Sequence, residues 1–131
     1  MQTLRGRAVA GVRALIILCV LTLTGCAHSD PWSRRDTIGQ VLVTAVLAAD
    51  AVSTANIQYH PGYYEAGPVA RKMLGLHPSS SSTYQYFLTN MVANYLVTRA
   101  LPAKWRPYWQ GWEIAVHGYA VHNNCSLDLC Y

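Results

Sequence analysis

Charge is scarce in this chain. Asp, Glu, Lys and Arg together make up 12% of its 131 residues, and Phe occurs once. No segment carries the broad charged face of a soluble amphipathic helix. Signatures of familiar chemistry are missing as well. Ser79 to Ser82 offer hydroxyls but no Gly-x-Ser-x-Gly elbow, which argues against a serine hydrolase. The five histidines (His28, His60, His77, His117, His122) include no His-Glu-x-x-His, and a metal site is not expected. Gly62 and Gly67 flank a turn-like stretch that is not a phosphate-cradling loop, and no cofactor is implied. No basic patch alternates with aromatics, so nucleic acid is not an expected partner. Internal repeats and long low-complexity tracts are also lacking. What the chain has instead is apolar length, nine Tyr and four Trp.

The N-terminus is the most specific part. Arg5, Arg7 and Arg13 form a basic head without an acid, and Ala14 to Leu23 is a ten-residue apolar run. That run is too short for a membrane span, which needs about 20 residues. Basic head, short apolar middle and small residues at the exit are the parts of a secretion signal. The exit reads Leu23-Thr24-Gly25-Cys26. Over residues 1–26 the chain resembles bacterial prolipoproteins. The resemblance implies removal of residues 1–25 and acylation of Cys26, with membrane lipid as its partner. Two or three acyl chains anchor firmly, whereas one binds only marginally. Ala27, where Asp would favour inner-membrane retention in such proteins, points towards the outer membrane.

Past the leader, residues 26–131 hold seven Lys/Arg and six Asp/Glu, so the basic balance comes mostly from the removed segment. Cys19 leaves with the leader. Cys125 and Cys130 are expected to close a disulfide loop over 125–131, as thiols of an exported chain commonly do. A Cys-x4-Cys metal half-site lacks its second pair.

The remaining pattern predicts an all-α fold. Residues 26–36 read as a polar tether and 37–124 as one helical, membrane-associated domain. Thr37-x-x-Gln40 is a capping box opening a helix over about 38–57, which His60-Pro61-Gly62 ends. Pro68 and Gly75 bracket a short helix near 68–74. Ser82-x-x-Gln85 introduces a helix over about 84–101, stopped at Pro102, and Pro107 opens another to about 122. The brief connector between these last two predicts an antiparallel hairpin. Tyr84, Tyr86, Trp105, Tyr108, Trp109 and Trp112 lie near two helix ends, as an interfacial aromatic belt would. These features favour a bundle of three apolar membrane helices over a soluble domain. Helical spans favour the inner membrane, against Ala27. Three full crossings from an outside Cys26 would also put the cysteine loop in the reducing cytoplasm.

Each long helix carries a polar stripe. Asp50 and Thr54 share one face, and Asn90, Asn94 and Thr98 another. Gln110, Glu113 and His117 share a third. If the stripes turn inward they meet in one interhelical cluster. Such groups act as hydrogen-bonding glue between helices, or, with Glu65, as an acid–base or transport site. Asp50-x-x-x-Thr54, Glu65-x-x-Pro68 and His77-Pro78-Ser79 resemble small uncharacterised bacterial integral-membrane proteins. Gly67 stands where those have Asn. The resemblance implies membrane embedding and no activity.

The expectation is therefore a lipid-anchored helical envelope protein of structural or partner-binding role, with a membrane protein as candidate partner, rather than an enzyme. The alternatives are an intramembrane chemical site built on Asp50, Glu65, Glu113 and His117, or a soluble periplasmic binding domain tethered by Cys26.

Overall fold

A computed structural model of the chain describes residues 30–130. The expected signal segment 1–25, the exit motif and Cys26 lie outside the described residues. Among those described there are four α-helices and no strand. The helices are α1 (Arg34–Ala55), α2 (Pro68–Leu74), α3 (Ser80–Ala100) and α4 (Arg106–Ser126), and a 3-10 turn, Asn56–Tyr59, extends α1.

The helices begin earlier than the capping boxes predicted, for a local reason. Ser33 caps α1: its hydroxyl accepts from the Asp36 N–H at 3.1 Å, and Asp36 Oδ2 accepts from the Ser33 N–H at 2.9 Å. Asp at the third helical position closes this box as Glu or Gln would, four residues upstream of Thr37. Ser79 likewise caps α3 by accepting from the Ser82 N–H at 3.2 Å. Asn123 and Asn124 do not end α4, because the Asn124 side chain is directed across to α1.

The tether expected over 26–36 is shorter than its composition implied. Arg34 to Asp36 are helical. Asp30 and Pro31 are tied down by Arg106, whose guanidinium donates to their carbonyls at 3.2 and 3.1 Å. Trp32 packs below two guanidiniums, with Arg99 and Arg106 5.0 and 5.4 Å from its ring centroid.

α1 is the hub of the bundle and makes most of the interhelical contact, more with α4 than with α3. α3 runs back antiparallel to α1, and α4 runs parallel to it. The expected α3–α4 hairpin is thus present in direction, but its two arms touch sparingly. Val43, Leu47 and Ala51 of α1 meet Phe87 of α3, with Tyr86, Met91 and Ile114 around them. Burying a side chain such as Leu47 contributes about 1.5–3 kcal/mol. Gly39 brings α4 close. A Cβ there would collide with the Gln110 carboxamide, whose Nε2 donates to the Asp36 carbonyl at 2.9 Å.

Cys125 and Cys130 are bonded to each other. Their loop folds back onto the end of α1, where Asn56 Nδ2 donates to the Leu129 carbonyl at 2.8 Å and the Leu129 side chain is buried.

By length and composition, the helix running from Arg34 to Tyr59 could cross a membrane.

Candidate functional site

The polar side chains of α1, α3 and α4 turn inward, but they form separate networks rather than the single cluster expected. At the start of α1, Arg106 is 1% exposed and Asp36 3%. Arg106 Nη1 donates to Asp36 Oδ2 at 3.2 Å, Nη1 and Nη2 reach the Pro31 and Asp30 carbonyls, and Nε donates to the Leu101 carbonyl at 3.0 Å. Taking a guanidinium out of water is costly, and hydrogen bonds on every side of its fork, one of them to a carboxylate, offset that cost.

One turn further, Gln40 and Asn94 join α1 to α3. Gln40 Nε2 donates to Asn94 Oδ1 at 3.4 Å, and Thr98 Oγ1 donates to the Asn94 carbonyl at 2.8 Å. Gln40 Oε1 and Asn94 Nδ2 are buried without partners, as is Trp109 Nε1. Each such atom costs about 1–3 kcal/mol in water-free surroundings. Asn94 is therefore interhelical, as expected, but far along α1 from Asp50. Asn90 stays half-buried and, among the described residues, joins neither network.

The third network lies in the second half of α1. His117 Nδ1 is 2.7 Å from Asp50 Oδ2, and Thr54 Oγ1 donates to Asp50 Oδ1 at 3.2 Å. Asn124 Nδ2 donates to Ser53 Oγ and Thr54 Oγ1 at 2.9 and 3.3 Å. His117 Nε2 faces Glu113 Oε2 at 3.6 Å, and Phe87 meets the imidazole edge-on at 6.1 Å. Both imidazole nitrogens thus face carboxylates. A neutral ring donates to only one of them, and an imidazolium to both.

Glu65 closes this end from the connector. Its Oε1 accepts from the Gly67 N–H at 2.7 Å, and its own N–H donates to the Leu76 carbonyl. Burial pushes the Glu65 carboxyl above the ordinary range. The Gly67 N–H opposes that rise, and the negative charge of Asp50 adds to it. Asp50, Thr54, Glu65, Glu113 and His117 are therefore brought into one electrostatic neighbourhood. It can hold a proton or join helices. Among the described residues, no group of three His, Cys, Asp or Glu side chains is placed to hold a metal ion.

Asp36, Arg106, Gln40, Ser53 and Asn124 were not anticipated as site residues. Asp36 had a local signal in the Ser33-x-x-Asp36 box. Arg106 had none, because all its partners but the Leu101 carbonyl lie seventy or more residues upstream.

Comparison with protein-family models, curated proteins and solved structures finds no match.

Proposed function

We propose that this chain is a lipid-anchored helical protein of the bacterial cell envelope, seated at the membrane by its own outer surface and serving a structural or partner-binding role. One observation carries the reading: among the described residues, polar side chains outnumber apolar ones in the interior, while many large apolar side chains lie on the outer surface. Asp36, Gln40, Asp50, Thr54, Thr83, Asn94, Thr98, Arg106 and Gln110 are buried, while Val41, Leu42, Leu88, Val92, Leu96, Trp112 and Val116 are exposed. Among the described residues, the exposed charged side chains are Arg34, Arg35, Arg71, Lys72, Lys104 and Asp128, all outside the middle of the bundle. In water this arrangement exposes apolar area to solvent, whereas in lipid it satisfies both surfaces. Trp105 and Tyr108 at one end and Tyr59, Tyr64 and Tyr84 at the other are exposed, as side chains at two lipid–water boundaries would be.

Metabolic labelling with a fatty-acid analogue, with and without an inhibitor of the lipoprotein signal peptidase, tests the anchor. The expected result is label on Cys26 and a membrane fraction that alkaline carbonate does not release. An intact Met1 start, or a Cys26→Ser variant that becomes soluble without detergent, overturns the reading. Labelling of Cys125 and Cys130 after reduction, from outside intact spheroplasts, then identifies the side on which the cysteine loop lies.

The gathering of Asp50, Glu65, Glu113 and His117 favours a second reading, an intramembrane acid–base site. Asp50→Asn and His117→Gln variants that accumulate normally, yet reproduce the phenotype of a deletion, would select it.

A further inference from the structure

We infer that the end of the bundle holding the start of α1 and the α3–α4 turn binds the anionic headgroup of a phospholipid, with Arg35 and Lys104 as the contacting cations. The inference rests on the membrane-seated reading and adds a lipid class to it.

Charge is unevenly divided along the bundle. Arg34, Arg35, Arg99, Lys104 and Arg106 collect at this end against two acids, Asp30 and Asp36. The rest of the bundle has Arg71 and Lys72 against Asp50, Glu65, Glu113 and Asp128. The two acids at the basic end are already engaged. Asp36 Oδ2 is held by Arg106 and Ser33, and Asp30 Oδ2 accepts from the Ala103 N–H at 2.8 Å. Arg106 is likewise used up internally, and Arg99 is stacked on Trp32. Arg34, Arg35 and Lys104 are exposed and, among the described residues, make no ion pair.

Two of these free cations border a groove between the beginnings of α1 and α4. It has a volume of about 670 Å³ and is walled by Arg35, Lys104, Pro31, Ser33, Pro107 and Tyr108, with Asp36, already paired with Arg106, also in its wall. The volume is ample for a phosphodiester headgroup. Tyr108, 72% exposed, and Trp105 stand beside it, where aromatic rings settle at headgroup depth. The groove also sits a few residues after Cys26, so an acylated Cys26 would hold it against the same leaflet. A basic surface added to acyl chains is the two-signal arrangement that makes peripheral anchoring stable.

The test uses the full chain purified in a neutral detergent, with phosphatidylglycerol or phosphatidylcholine titrated into the micelles. Retained lipid is counted by native mass spectrometry and Trp fluorescence is followed in parallel. Phosphatidylglycerol should be retained in preference and lost as salt rises. Arg35→Gln/Lys104→Gln should weaken retention by roughly thirtyfold without changing the melting temperature. Arg71→Gln/Lys72→Gln, at the other end, should leave it unchanged. Equal retention of the two lipids, an equal loss from both double variants, or full competition by millimolar inorganic phosphate overturns the inference. If the chain proves soluble, the membrane-seated reading fails by itself. The same variants tested against phosphatidylglycerol vesicles then still decide the headgroup site.

Discussion

Asp36 and Asp50 stand on one side of α1, about four turns apart, and each meets a nitrogen-bearing side chain of α4. Asp36 meets Arg106 and Asp50 meets His117, at 3.2 and 2.7 Å. The first pair is sealed: both side chains are almost fully buried, and the guanidinium is also spent on three backbone carbonyls. The second is open on one side, because the His117 side chain remains 19% exposed and its other nitrogen looks towards Glu113. One end of α1 is therefore joined to α4 by a sealed ion pair, and the other by a contact that a second carboxylate, Glu113, also faces. Similar residues at similar spacing thus do different work, and the difference lies in what else each partner touches.

The sharpest way to break this contrast is Arg106→Ala. It strands Asp36 in a buried site and releases Asp30 and Pro31, so a loss of about 3–5 kcal/mol is expected. Denaturation in detergent measures it. A loss below about 1 kcal/mol, no more than an exposed pair contributes, would show that this end is not the lock described. Asp50→Asn comes next, at about 1.5–3 kcal/mol, since Thr54 and His117 lose a charged acceptor. A double-mutant cycle with His117→Gln should recover a coupling between the two residues. Additive effects would mean that His117 and Asp50 are neighbours without being linked.

Opening the cysteine loop is expected to cost about 2 kcal/mol, the modest amount a short closed loop contributes. Comparing the oxidised parent with Cys125→Ser and with the reduced parent by melting temperature checks it. The loss should be felt at the His117 end, where Asn56 and Leu129 hold the loop.

The smallest effect is expected at Glu65, and its sign depends on pH. Burial first, and then Asp50, raise its carboxyl above the ordinary 4.5, so the folded chain holds that proton more firmly than the unfolded chain. Its contribution to stability is present below 4.5 and is lost as pH climbs through the raised value. Glu65→Gln should therefore melt higher than the parent at neutral pH, with the gap closing on acidification. A variant that is less stable than the parent at neutral pH would mean that the charged carboxylate is favoured there.

Much of this fold was readable along the chain. Pro68 and Gly75 bracket α2 as expected, and Pro102 ends α3, because both signals act within a few residues. The helices start about a turn before the positions that Thr37 and Ser82 mark, because Ser33 and Ser79 cap them through local hydrogen bonds to the Asp36 and Ser82 N–H groups. The inward polar stripes were visible from helical spacing, yet their grouping was not. Asn90 and Asn94 share a face of α3, but only Asn94 comes opposite Gln40 of α1. Arg106 looked like an ordinary connector residue until the chain folded Asp30, Pro31 and Asp36 around it.

Local spacing and composition by themselves determined an all-helical chain with apolar helices, a short helix between prolines and glycines, and polar groups gathered on single faces. These follow from hydrogen bonds and side-chain periodicity inside one segment. Tertiary structure alone decided that α1 is the hub, that Asp36 pairs with Arg106 while Asp50 pairs with His117, and that Arg35 and Lys104 border one groove. Those outcomes depend on contacts between residues some seventy positions apart, and a contact of that range is selected by three-dimensional packing rather than by any neighbour in the chain.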